Sequence, residues 1–315
     1  MAKMKVQQNL PKIWFDIMKY SKLWFAISLT ITVLGLFCMF TKGFNFGIDF
    51  TGGTIMDMRF ERQVTLSEIR DVLKVYNLDN ATIQLSGEAS NVESSQDVMI
   101  RTIDLEENQR KEIMASLNDQ VGAYTVLREE KVGATIGGEL ITDAIMATVI
   151  SWILIILYVS YRFEWRFGIS AILTLIHDIL VVLIVFSFTQ KQVDSSFVAA
   201  VLTIVGYSIN DTIVIFDRIR ENMKLHYRKG GDLNELSNRS IYQTLTRSLY
   251  TVFTCLFTTF ALYWFGGDTT KDFAFALIIG FFSGCYSSIF IASPLWVIFR
   301  TAAEKKKHAP KPAAE

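Results

Sequence analysis

Six blocks of apolar residues constrain this chain more than any other feature. They cover residues 23–40, 145–161, 167–188, 196–216, 248–265 and 273–299, as continuous runs rather than amphipathic stripes. The first has eighteen residues without a charge; the second is entered through residues 141–144, with Asp143 near its edge. A helix needs ~20 mainly apolar residues to cross a hydrocarbon core ~30 Å thick, and all six blocks meet or approach that length. One such block fits a buried core helix, but six do not. The chain of 315 residues is therefore predicted to be a polytopic α-helical membrane protein with six transmembrane helices. Composition agrees: 20% of residues are charged, below the ~25% usual in soluble domains, and Phe alone fills 24 positions. The first block exceeds a typical signal-peptide core, and no small-x-small cleavage site follows in residues 41–46, so it is expected to stay as a helix.

Lys and Arg orient the helices, because cytoplasmic loops carry the excess of both. Residues 1–22 hold Lys3, Lys5, Lys12, Lys19 and Lys22, and the loop between spans two and three holds Arg162 and Arg166. The loop after span four holds Arg218, Arg220, Lys224, Arg228, Lys229 and Arg239, leading to Arg247; the tail holds Arg300, Lys305, Lys306, Lys307 and Lys311. The opposite loops, 189–194 and 266–272, have one Lys each. The prediction is N-in, C-in, with boundaries at 1–22, 23–41, 42–138, 139–300 and 301–315. The net charge of zero, from 31 basic and 31 acidic residues, then divides by compartment. Cytoplasmic segments carry 19 basic and 8 acidic residues and extracytoplasmic ones 12 and 20, leaving Asp143, Asp178 and Asp211 within the spans. Neutrality argues against a nucleic-acid partner, and the apolar content excludes disorder over most of the chain. Cys38, Cys255 and Cys285 are too few and too apolar in context for a disulfide or zinc framework.

The one large loop, residues 41–140, reads as a water-soluble domain. Residues 54–60 alternate like a strand, and Thr65-Leu66-Ser67-Glu68 is a capping box opening a helix to about Tyr76. Residues 81–85 and 97–103 read as strands around a Gly/Ser/Asn-rich turn, 106–121 as a helix and 123–129 as a last strand. The order β-α-β-β-α-β is the ferredoxin-like arrangement, which implies no chemistry of its own. No nucleophile triad, HExxH or phosphate-binding glycine loop is present, and the histidines are His177, His226 and His308. No enzymatic activity, cofactor or metal is expected. The junction before the domain, residues 44–54, contains Gly47, Asp49, Gly52 and Gly53; it reads as a helix-to-strand turn, with Asp49 closing an Asx-type turn, or as a hinge. The junction at 132–140 is equally glycine-rich, and two flexible joints around a rigid domain add weight to the hinge while leaving the turn reading open.

Ionisable groups within spans are functional candidates, since a mid-bilayer charge costs ~3 kcal/mol on insertion scales. In span four, Thr203, Tyr207, Asn210 and Asp211 share a helical face; in span five, Arg247, Thr251, Thr254 and Thr258 form another. The two spans are antiparallel and consecutive, which brings Asp211 and Arg247 within about two turns of each other. An Asp able to pair with an Arg and lined by hydroxyls has the make-up of a proton relay. The alternatives are a structural helix-packing role for Asp211 and an Arg247 that only snorkels to the headgroups. His177 and Asp178, mid-span three, suit interhelical hydrogen bonding or proton handling. Gly280, Ser283, Gly284 and Ser287 form a small-residue packing face in span six, and Pro294 is expected to kink its end.

These residues also carry a family likeness. FNFGIDFTGGT at 44–54, the junction at 132–140 and above all GYSINDTIVIFDRIREN at 206–222 closely resemble the SecD/SecF family of bacterial protein export, in the resistance-nodulation-division superfamily. The resemblance covers the whole chain and is to the smaller branch, because the large periplasmic region of SecD is missing. It implies a proton-driven auxiliary of the Sec translocon in the bacterial inner membrane, with residues 42–138 in the periplasm. It places the family's relay aspartate at Asp211, its arginine at Arg247 and the nearby hydroxyl at Thr251. Implied partners are SecD, the SecYEG translocon, the translocating preprotein and membrane lipid. Two other readings stay open: a non-transducing scaffold, and a half-size small-molecule exporter of the same superfamily. An intramembrane aspartyl protease built on Asp178 and Asp211 is remote, because Asp211 lies in Ser-Ile-Asn-Asp rather than Gly-x-Gly-Asp.

Overall fold

The computed structural model describes residues 14–86, 94–227 and 231–308. Lys3, Lys5 and Lys12, the turn at 87–93, Arg228 and Lys229, and Lys311 lie outside the described residues. In chain order the elements are α1 (Ser21–Lys42), β1 (Asn45–Phe46), α2 (Ile48–Thr51), β2 (Gly53–Thr65), α3 (Leu66–Val75), β3 (Thr82–Ser86), β4 (Ser94–Thr102), α4 (Glu107–Gln120) and β5 (Tyr124–Val132). They continue with α5 (Ala134–Arg162), α6 (Trp165–Thr189), β6 (Gln192–Val193), α7 (Ser195–His226), α8 (Leu233–Phe265), α9 (Asp268–Ser287), a π-helical turn (Ser288–Ala292) and α10 (Ser293–His308). Six helical stretches among the described residues are long and apolar enough to cross a membrane: α1, most of α5, α6, α7, α8, and α9 together with the π-turn and α10. The chain is a polytopic helical membrane protein with a small sheet domain, and it divides into two compact units.

The sheet unit has its four strands in the order β3-β4-β2-β5, every neighbouring pair antiparallel. Period-two alternation builds its core: Met56 and Met58 on β2 lie opposite Ile100 and Val98 on β4, and all four are buried. Ile69 and Leu73 of α3 and Ile113 and Leu117 of α4 pack on them. The capping box forms as read: Glu68 N–H donates to Thr65 Oγ1 at 3.4 Å and Thr65 N–H to Glu68 Oε2 at 2.7 Å. Arg62 also donates to Glu68 Oε1 at 2.7 Å. That contact, first, and the cap hydrogen bond from Thr65 hold the Glu68 carboxyl at about 2, well below the usual carboxylate range.

The glycine-rich junctions carry more regular structure than their composition suggests. Residues 48–51 form a helical turn, and only at Gly52 and Gly53 does the backbone enter positive φ, at 70° and 134°. A Cβ on Gly53 would meet the Thr102 carbonyl oxygen at 2.3 Å. The second joint expected at 132–140 is not a loop: α5 is helical from Ala134, through Gly137 and Gly138. Gly137 is there for close approach, since its Cβ position lies 3.1–3.2 Å from backbone atoms of Asp49, Phe50 and Gly52. Asp49 makes a long-range contact rather than only a local turn, its Oδ2 accepting from Ser195 N–H at 2.9 Å at the first residue of α7.

In the helical unit, α6 is flanked by α1, α9 and α10, and α8 by α9 and α10. One core gathers Phe167 of α6, Phe216 of α7 and Trp296 of α10, with ring centroids 4.9 and 4.7 Å from Phe167. Helices in lipid gain no hydrophobic stabilisation from each other, so close contact falls to small residues. Gly280 of α9 admits Ile204 of α7, and Gly284 admits Ser208. A π-helical turn precedes Pro294. The π-turn ends two residues before it, and the wider turn accommodates a residue that lacks N–H and crowds the carbonyl four positions back. By contrast α5 exposes Ile145, Met146, Val149, Ile150, Ile153, Leu154 and Leu157, an apolar face suited to lipid.

Candidate functional site

At 32 and 33 residues, α7 and α8 extend ~50 Å, well beyond a ~30 Å hydrocarbon core. Their polar extensions are tied together by Asn222, whose Nδ2 donates to Ser240 Oγ and Gln243 Oε1 at 2.8 Å each, and by Arg218, which donates to Gln243 at 2.6 Å. Just inside this clamp lies Asp211, 6% exposed.

Ser248 Oγ donates to Asp211 Oδ1 at 2.5 Å. The other oxygen, Oδ2, is buried and, among the described residues, meets no donor at full hydrogen-bonding geometry, although the Ser288 hydroxyl stands close enough to act on the carboxylate. The neighbouring Ser288 hydroxyl, on the π-turn, is engaged with Thr212 Oγ1 at 2.8 Å. Arg247 is exposed and, among the described residues, forms no ion pair with Asp211; it lies within electrostatic reach of the carboxylate. It lines an open cleft of about 630 Å³ together with Asp217, Arg218, Arg220, Glu221 and Lys224.

The hydroxyl stripe expected around the acid faces elsewhere. Thr251 Oγ1 donates to the Arg247 carbonyl at 2.9 Å, and Thr254 and Thr258 likewise bond to carbonyls of their own helix. Asn210 is exposed beside the buried Asp211, as Arg247 is beside the buried Ser248. Sequence reasoning passed over Ser248 because it followed the charge next door. The signal was there: Ser237, Ser240, Thr244 and Ser248 recur at helical spacing, and all four are buried.

Asp178 is fully buried on α6 and lies in a cage of hydroxyls. Its Oδ2 accepts from Ser208 at 2.6 Å and Ser287 at 2.7 Å; its Oδ1 accepts from Ser283 at 2.7 Å and lies 3.2 Å from His177 Nδ1. Of the two roles open for this residue, interhelical hydrogen bonding is the one the geometry displays. Ser283 and Ser287, expected to serve only as small packing residues, are two of its donors.

Comparison with known proteins places these residues in a family context. Residues 112–302 match the family model for the C-terminal region of the protein export membrane proteins SecD/SecF, and residues 39–64 match the SecD/SecF GG motif. The chain belongs to the SecD/SecF family. The SecD/SecF C-terminal match contains Asp178, Asp211, Arg247 and Thr251, and the GG-motif match contains Gly47, Asp49, Gly52 and Gly53. Among its relatives is the protein translocase subunit SecF of Acidaminococcus fermentans, 47% identical over 286 residues, covering 91% of this chain and 97% of that protein. The SecF subunit of Sebaldella termitidis is 40% identical over 288 residues, covering 90% and 91%. The crystal structure of SecDF, a translocon-associated membrane protein from Thermus thermophilus, superimposes with a TM-score of 0.82 at 38% identity, over 91% of this chain. This chain spans 39% of that longer SecDF chain.

Proposed function

We propose that this chain is a proton-motive-force-driven accessory subunit of the bacterial Sec translocon, without enzymatic activity, which works with SecD late in preprotein translocation. The observation that carries the reading is the buried Asp211. Its closest partner is the neutral Ser248, its other oxygen has no donor at full hydrogen-bonding geometry among the described residues, and an exposed cation stands beside Ser248 on the same neighbouring helix. A carboxylate so placed has two states available: held by Ser248, or drawn to Arg247. Protonation changes their balance, and a small change of pairing biases helix packing. The membrane potential supplies ~2.3 kcal/mol per charge for each 100 mV, enough for one proton to bias a switch of a few kcal/mol. The open cleft at Arg247 supplies the aqueous route on one side.

The Lys and Arg distribution supports an N-in, C-in orientation in the inner membrane, with the sheet domain in the periplasm. Its β-α-β-β-α-β order and its sheet order β3-β4-β2-β5 support a ferredoxin-like assignment. In this reading the domain contacts the emerging preprotein or SecD and moves about the junction at Gly47, Asp49, Gly52 and Gly53. Thr251 and Asn210 assist by holding the local backbone and the outward polar face. The test is Asp211→Asn in membrane vesicles carrying the full translocon. The expected outcome is loss of the proton-dependent late stage of export, with ATP-driven initiation retained. Full export by Asp211→Asn whether or not the gradient is collapsed would refute it. A scaffold would tolerate Asp211→Asn and Arg247→Gln yet lose function without the domain.

A further inference from the structure

We infer that Asp178 is a positioning residue for Asp211, acting through the rotation of α7; the inference rests on the relay reading of Asp211. Within five residues, α7 presents three polar side chains to three different neighbours. Ser208 donates to Asp178 on α6 at 2.6 Å, Asp211 accepts from Ser248 on α8 at 2.5 Å, and Thr212 engages Ser288 on the π-turn at 2.8 Å. Residues 208 and 211 are three apart on a helix, so their side chains leave it ~60° apart, and fixing one fixes the direction of the other. Gly284 allows the approach: a Cβ there would stand 3.2 Å from Ser208 Cβ.

The cage holds Asp178 itself without slack. Both of its oxygens carry donors, and the 2.6–2.7 Å separations to Ser208, Ser283 and Ser287 are those of hydrogen bonds rather than of ligands sharing a cation. Asp178 on α6 thus serves as the anchor, Ser208 as the tether, and Asp211 as the group aimed. The consecutive serines 287 and 288 tie the anchor and the Asp211 neighbourhood to one point, where α9 passes into the π-turn. Turning α7 away from this setting moves Asp211 off the buried Ser248 and toward the exposed Arg247, its neighbour on α8. The other titratable groups around Asp211 are Arg247 on α8, Cys285 on α9 and Tyr207 on its own helix.

Two serines separate this from a field effect of Asp178. Ser208→Ala and Ser283→Ala each remove one hydroxyl donor from the cage, but only Ser208 belongs to α7. The readout is the infrared carboxyl band of full-length protein in liposomes that Asp211→Asn abolishes, with proton-dependent export measured alongside. The band is expected to shift in Ser208→Ala and in Asp178→Asn, to shift no further in their double variant, and to stay in place in Ser283→Ala. Proton-dependent export falls up to about tenfold in Ser208→Ala, as loss of one buried hydrogen bond allows. Equal shifts in Ser208→Ala and Ser283→Ala, or an unmoved band with only lowered thermal stability, would overturn the inference. If Asp211→Asn leaves proton-dependent export intact, the relay reading fails, and the band comparison still decides whether Asp178 positions Asp211.

Discussion

Replacing Gly280 with Ala adds one methyl group where α9 meets α7. Its carbon would lie 2.3 Å from both Cδ1 and Cγ1 of Ile204 and 2.8 Å from Cγ2, against the 3.5–4.0 Å at which carbon atoms rest. Ile204 is fully buried and β-branched, so rotation offers it little escape and the helices must separate by about 1 Å or more. Overpacking of this kind costs ~1–3 kcal/mol. The same separation lengthens Ser208–Asp178 and Thr212–Ser288, now 2.6 and 2.8 Å, each contributing ~0.5–1.5 kcal/mol. Together these give a destabilisation of about 2–6 kcal/mol. The measurement is thermal or denaturant unfolding of the purified full-length protein in detergent, with Gly206→Ala as control, since nothing lies within 4 Å of a Cβ at Gly206. The decisive comparison is Gly280→Ala combined with Ile204→Ala. Each single change destabilises, one by crowding and one by a cavity, and the pair restores at least ~1 kcal/mol relative to their sum. Additivity within ~0.5 kcal/mol would show that the two positions do not share a contact and would refute the reasoning.

In the sheet domain, Thr65→Ala removes the capping box and should lower stability by ~1 kcal/mol at neutral pH, measured by chemical denaturation. Because the Glu68 pKa is depressed from 4.5 to about 2, its contribution is fully present above 4.5 and disappears as pH falls through about 2. The stability gap between Glu68→Gln and the native chain should therefore close in that window, and a gap that persists at pH 2 would contradict this. Asp49→Ala leaves Ser195 N–H without its acceptor and should cost ~1 kcal/mol, whereas Asp49→Asn should cost only a few tenths. Hydrogen exchange at the start of α7 distinguishes them.

How much was legible depended on the range of the interaction that fixes each feature. The six spans were readable because lipid demands a long apolar run wherever a helix crosses, whatever its neighbours. The Thr65–Glu68 capping box was readable because its partners are three residues apart. The strands of the sheet domain were readable from alternation, although β5 reaches Val132, beyond the alternating stretch at 123–129. The junction at 132–140 misled because glycine marks flexibility and close approach alike, and only the backbone opposite Gly137 tells which applies. The partner of Asp49 was not legible for a different reason: Ser195 is 146 residues away, and no local pattern announces it.

The site divides along the same line. That Asp178, Asp211 and Arg247 are exceptional follows from the sequence alone, because the bilayer penalises charge at any position along a span. Which partner each one meets does not follow. Asp211 took Ser248 rather than Arg247 because neighbouring residues of a helix point ~100° apart, so the face that α8 turns inward decides between them. Asp178 became an anchor because Gly280 and Gly284 let α9 and α7 close around it, turning three unremarkable serines into its donors. The sequence alone determines which groups must be expensive in a membrane. Only packing, which sets helix rotation to within a fraction of a turn, decides what relieves that expense.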